Sequence, residues 1–170
     1  MCTDSLEVPG LPESFAVQPG PLKWPTGARA TISSDSAALP LEDCLPSQLG
    51  AFLISERLKV ALQEKRIQGV EFYAVDIFMP DGNRLANFWH LHFLHHLAAL
   101  DKAHSEGVHE TPEKILAVWR VAVKRERISA ELDAFRLKEW KRAQIVSGRF
   151  VEAYRGAHCK GLSFDRLLVT

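Results

Sequence analysis

Residues 54–75 return, without a gap, as residues 146–167, so the fold must accommodate one unit twice. Ser55, Arg57, Ala61, Gly69 and Phe72 meet identical residues at Ser147, Arg149, Ala153, Gly161 and Phe164. The pairs Leu58/Phe150, Leu62/Tyr154, Val70/Leu162 and Val75/Leu167 stay apolar. In the first copy, Ser55 stands where a hydroxyl can accept an amide proton from the opening turn of a helix. Leu58, Ala61 and Leu62 then recur at helical spacing while charged residues cover the other face. Gly69 stops this helix, as a residue free to take positive φ does, and Val70–Phe78 reads as a β-branched and aromatic strand. Strand, capping serine, helix, glycine and strand therefore occur twice, over about residues 52–75 and 144–167. Any capped amphipathic helix between strands shares part of this layout, but the constant register and the two Gly-x-x-Phe exits favour a structural repeat. Such units pack their helices on a sheet. The expected fold class is α+β with a mixed or antiparallel sheet, and Ser55 and Ser147 read as caps rather than nucleophiles.

Around the repeat the chain is uneven. Residues 1–50 hold seven of the nine prolines and four of the ten glycines, with no helical period, so they read as an extended N-terminal arm. Phe15, Leu22, Trp24 and Ile32 give this arm an apolar side that can pack on a body formed by residues 51–170. Met79-Pro80-Asp81-Gly82-Asn83 is a turn signal, and residues 84–94 read as the returning strand of a hairpin. Between the units, the spaced valines around Trp119 favour strand over helix, whereas residues 131–140 suit a helix.

With 46% hydrophobic and 25% charged residues, a chain of 170 can bury a core of its own. Its 21 Lys+Arg balance its 21 Asp+Glu, which argues against a surface that attracts nucleic acid or membrane everywhere. The balance is a sum of opposed segments: −4 over residues 1–50, −3 over residues 51–113 and +7 over residues 114–170. Residues 1–7 show neither the basic nor the apolar region of a secretory leader, so a cytoplasmic location is expected. The apolar stretch at residues 88–100 is too short to span a bilayer. Cys2, Cys44 and Cys159 are odd in number and lack C-x-x-C, which points to free thiols rather than disulfides or structural zinc.

Four histidines crowd into Phe88-Trp89-His90-Leu91-His92-Phe93-Leu94-His95-His96. On a strand His90 and His92 share one face, and on a helix His92, His95 and His96 cluster; either set can ligate a divalent metal. No H-E-x-x-H and no carboxylate at ligand spacing accompanies them, so half-buried strand residues are the favoured reading, and no cofactor is assigned. Farther on, Arg120, Lys124, Arg125, Arg127, Arg136, Lys138, Lys141 and Arg142 are interleaved with Trp119 and Trp140. Aromatics among cations suit stacking on single-stranded nucleic acid. Glu126, Glu131, Asp133 and Glu139 dilute that field, which favours a solvated or protein-docking face instead. G-x-S-x-G, P-loop, G-x-G-x-x-G and kinase-like signatures are absent. His158 and Cys159, as helix neighbours, point away from each other and make a poor nucleophile–base pair.

Several of these segments resemble a known family. Leu45-Pro46, Phe52-Leu53-Ile54-Ser55-Glu56-Arg57-Leu58, Gly69-Val70-Glu71-Phe72 and a strand with Trp89 and His92 carry the first half of the pattern. Leu100-Asp101-Lys102, Ile145-Val146-Ser147 and Lys160-Gly161-Leu162-Ser163-Phe164 carry the second. The pattern is similar to that of the Myxococcus-type immunity proteins, small bacterial proteins encoded with polymorphic toxins, and it covers about residues 45–170. The chain departs from it at Gly148, where the family tends to place a larger polar residue, and in its histidine-rich strand. What the resemblance implies is a cytoplasmic, non-enzymatic protein that binds a cognate toxin and blocks its active site or assembly. It transfers no functional residues. Candidates for partner contact come from hot-spot chemistry alone: Trp89, Trp119, Arg120, Arg125, Arg127 and Trp140. The alternative is a metal-dependent enzyme or metal-binding protein built on His90, His92, His95 and His96.

Overall fold

The structure is a computed structural model that describes residues 8, 11, 17–34, 40–47 and 50–170, and the backbone of Thr3–Glu7. Cys2 and Phe15 lie outside the described residues. In chain order the elements are β1 (Thr3–Glu7), β2 (Arg29–Ile32), β3 (Cys44–Pro46), β4 (Phe52–Ile54), α1 (Glu56–Glu64), β5 (Val70–Phe78), β6 (Arg84–Phe93) and β7 (His96–Leu97). There follow β8 (His109–Glu110), β9 (Ile115–Ala117), β10 (Ala122–Val123), β11 (Ala134–Leu137), β12 (Gln144–Val146), α2 (Gly148–Gly156) and β13 (Leu168–Val169).

The fold is α+β. A mixed sheet runs β1-β2-β5-β6-β4-β3, with β2 and β5 parallel and the other neighbours antiparallel. At its centre lies the expected hairpin of β5 and β6, whose turn is closed by the Met79 amide donating to the Asn83 carbonyl at 2.8 Å. The Pro-rich third supplies β1, β2 and β3. A second sheet has β11 in the middle, with β12 antiparallel on one side and β7 parallel on the other. Only Leu94 and His95 separate β6 from β7, so one stretch of chain joins the two sheets.

Both helices start as the sequence expects. Ser55 Oγ accepts from the Leu58 amide and Ser147 Oγ from the Phe150 amide, each at 3.3 Å, satisfying an amide that has no partner within the helix. The apolar stripe of α1 buries Leu58 and Leu62, and that of α2 buries Phe150, Ala153 and Tyr154. These side chains share a core with Ile54, Leu91 and Phe93 of the first sheet and Ala134 of the second.

Other expectations are corrected. Gly69 does not stop α1: the helix ends at Glu64, and Arg66 takes the left-handed turn at φ 50°. His158 does the same after α2, at φ 54°. Gly69 and Gly161 have positive φ, 94° and 103°, for a different reason: each lies against a carbonyl of the other unit, Ala134 and Cys44 respectively, where a Cβ would overlap it. The two units do not share one sheet, and only the first ends in a long strand; residues 162–167 have no ladder partners among the described residues. Residues 131–140 hold strand β11 rather than a helix. All four β11 side chains are buried, and burial on both faces removes the alternation by which a strand announces itself. Between residues 115 and 123 the strand expected there is broken into β9 and β10. Cys44 and Cys159 are buried free thiols, and burial pushes the Cys44 thiol pKa far up. Among the described residues no helix is long and apolar enough to cross a membrane.

Candidate functional site

Two buried aspartates fix the frame around a groove lined by β12 and residues 163–168. Asp43 Oδ1 accepts from Ser55 Oγ at 2.7 Å and Arg57 Nε at 3.0 Å, and Oδ2 accepts from Arg57 Nη2 at 2.5 Å and the Lys160 amide at 2.9 Å. Asp133 repeats the arrangement with Ser147 Oγ at 2.6 Å, Arg149 Nη1 at 2.9 Å and the Gln68 amide at 3.0 Å. Gln68 and Lys160 are equivalent positions of the repeat. Each aspartate therefore ties the helix start of its own unit to the exit turn of the other. Burial pushes the Asp43 carboxyl pKa up, but the hydrogen bonds from Arg57, Ser55 and the Lys160 amide outweigh it, and the net shift is down.

Held this way, β12 forms one wall of a groove of about 930 Å³ and residues 163–168 form the other. A second groove of about 510 Å³ shares Ile145, Val146 and residues 164–167, Arg166 among them, with it, and adds Arg125 and Arg155. Trp119 stands at the rim of the first, 85% exposed. Its backbone is fixed, because the amides of Trp119 and Arg120 both donate to the Glu106 carbonyl, at 3.0 and 3.1 Å. Arg120 pairs with Glu106 at 3.5 Å in the open, a contact worth little in itself. Below them, hydrogen bonds from His104 and Thr170 hold the Asp101 carboxyl pKa down at about 2 and anchor Thr170.

The sequence candidates divide accordingly. Trp119, Arg120 and Trp140 line one groove, with Trp140 packed on the core beneath, and Arg125 lines the adjoining one. Trp89 is half-buried elsewhere, its Nε1 donating to Glu56 and its ring 3.3 Å beneath the Lys59 ammonium. Arg127 is exposed and lines neither groove.

The histidines are not brought together as a ligand set. His90 is fully buried and stacked on Trp24, with ring centroids 5.4 Å apart, and burial pushes its pKa down to about 3. His92 Nε2 is 2.8 Å from the Gly20 carbonyl, His95 is exposed, and His96 is half-buried with its pKa down at about 4 through burial and the Arg136 charge. Among the described residues no three of His, Cys, Asp and Glu converge as a metal site requires. Arg136, which the sequence places among the cations of a solvated or docking face, is instead 1% exposed, donates to the Lys141 and Gly50 carbonyls at 2.7 and 3.0 Å, and packs over Phe93. Its neighbours in β11 give no polar alternation that would flag it.

An exposed tryptophan and arginines beside a groove on an α+β frame are residue types from which interface anchors are drawn. The profile of the Immunity protein family (Imm11) matches residues 4–168, nearly the whole chain, and the chain belongs to that family. Membership indicates toxin neutralisation through a toxin partner, in a family that is generally non-enzymatic. No curated protein matches the chain.

Proposed function

We propose that this protein binds a cognate bacterial toxin of a polymorphic toxin system in the cytoplasm, and neutralises it by direct contact without catalysis of its own. The contact centres on Trp119, Arg120 and Trp140, with Arg125 on the adjoining groove; Trp89 and Arg127 are left out of it. The observation that carries this reading is Trp119, held 85% exposed by a fixed backbone at the rim of the 930 Å³ groove. A tryptophan brings a large apolar area to a partner with little entropy left to lose, which is the profile of an interface anchor. The test is co-expression with the product of the neighbouring toxin gene. The wild type is expected to protect the cells and copurify with the toxin. Trp119→Ala is expected to weaken the complex about 30-fold, as loss of about 2 kcal/mol would, at an unchanged melting temperature. A wild-type chain that neither protects nor copurifies refutes the proposal.

A further inference from the structure

We propose that β12 is the docking edge for an extended segment of the toxin, which adds to it as a strand and fills the groove between β12 and residues 163–168. The inference rests on the immunity reading and names the contact that reading uses.

Antiparallel pairing points alternate residues of a strand at its neighbour. The Ser147 amide donates to the Asp133 carbonyl at 2.7 Å and the Leu137 amide to the Ala143 carbonyl at 3.3 Å. Residues 143, 145 and 147 thus face β11, and the amides and carbonyls of Gln144 and Val146 face away from it, on the side where β12 has no strand among the described residues. In the first unit the equivalent residues are Phe52 and Ile54. There the Ser55 amide donates to the Asp43 carbonyl at 2.8 Å and the Ser47 amide to the Ala51 carbonyl at 2.9 Å, which leaves Phe52 and Ile54 facing β6. β6 meets them at Leu91 and Trp89, and on its other side it pairs with β5, Leu91 lying opposite Phe72.

Phe52, Leu91 and Phe72 therefore form a row across three strands. The equivalents of the outer two, Gln144 and Phe164, both line the 930 Å³ groove and a smaller one of about 250 Å³. The second unit has the two outer members of the first and a groove where the first has its middle strand. An open edge beside such a groove is a template for pairing with extended chain. The charge of the lining selects the occupant: Arg125, Arg155 and Arg166 line the adjoining stretch, and among the described residues none of them has an ion pair. Among the described lining residues of that groove the acids are Asp165 and Asp133, and Asp133 is engaged by Ser147 and Arg149. The incoming strand accordingly alternates apolar residues with acidic ones.

The experiment measures affinity and amide hydrogen exchange, with the purified product of the neighbouring toxin gene as probe. In the free protein, the Gln144 and Val146 amides are expected to exchange at least 100-fold faster than those of Phe52 and Ile54, and to become protected in the complex. Val146→Pro removes an amide that β11 does not use, and it is expected to weaken binding at least tenfold at an unchanged melting temperature. Arg166→Glu is expected to weaken binding by a similar factor. Protection of both amides in the free chain overturns the proposal, whether its own residues or a second copy covers the edge. Binding of Val146→Pro within twofold of wild type, with both amides still exchanging freely in the complex, also overturns it while leaving the immunity reading standing. If the wild type does not bind at all, both fall together.

Discussion

At the scale of single residues, His90 shows how burial sets a protonation state. The imidazole is enclosed by Trp24, Tyr73 and His92, and its pKa is down at about 3, against an ordinary value near 6.5 in the unfolded chain. A histidine depressed this way contributes its full stability above the unfolded pKa and loses it as pH falls, because between about 6.5 and 3 the unfolded chain binds a proton that the folded chain refuses. His92 and His96 are shifted in the same direction. The urea midpoint is therefore expected to drop between pH 7 and pH 5, with His90 contributing up to about 1.4 kcal/mol per pH unit. His90→Phe is expected to flatten that slope; a wild-type midpoint constant over this range refutes the argument. Of these residue-scale facts the sequence showed that His90 and His92 lie on one strand. It did not show Asp43 and Asp133, because the hairpin between Asp133 and Ser147 is two residues longer than that between Asp43 and Ser55, and a gapless alignment stops before reaching either acid.

Elements carried the clearest sequence signals where one side of them meets water. The helices α1 and α2, their serine caps and the β5–β6 hairpin were legible because a polar face or a turn motif marks each one. β11 was not, since it is buried on both faces, and the partners of β12 were not, since pairing is decided by distant chain. The exit glycines were legible as glycines but not for their role. Gly69 and Gly161 are needed where the units approach each other's backbone, so Gly69→Ala adds an overlap with the Ala134 carbonyl to the strain of a left-handed residue. It is expected to cost about 3 kcal/mol in urea unfolding. Gly82→Ala, at φ 86° but with nothing within 4 Å, supplies the control and is expected to cost about 1 kcal/mol. Equal costs for the two variants would show that the close approach does not contribute.

For the whole molecule, reciprocity is the organising fact. Asp43 fastens the exit of the second unit and Asp133 that of the first, so neither unit closes without the other. The formal neutrality of the chain concealed this arrangement and also the basic groove, although the surplus of +7 over residues 114–170 pointed toward the latter. A chain latched both ways unfolds as one cooperative body. Tryptophan fluorescence, which samples Trp24 and Trp89 around the first sheet and Trp119 and Trp140 beside the second, is expected to report the same urea midpoint as far-UV circular dichroism. Asp133→Ala removes hydrogen bonds from Ser147, Arg149 and the Gln68 amide and is expected to cost about 2–3 kcal/mol. That loss should move both probes together and raise hydrogen exchange at Gln68, in the opposite unit from the substitution. Two separated transitions, or an exchange change confined to residues 133–149, would show that the units fold independently and that the latches merely decorate their boundary.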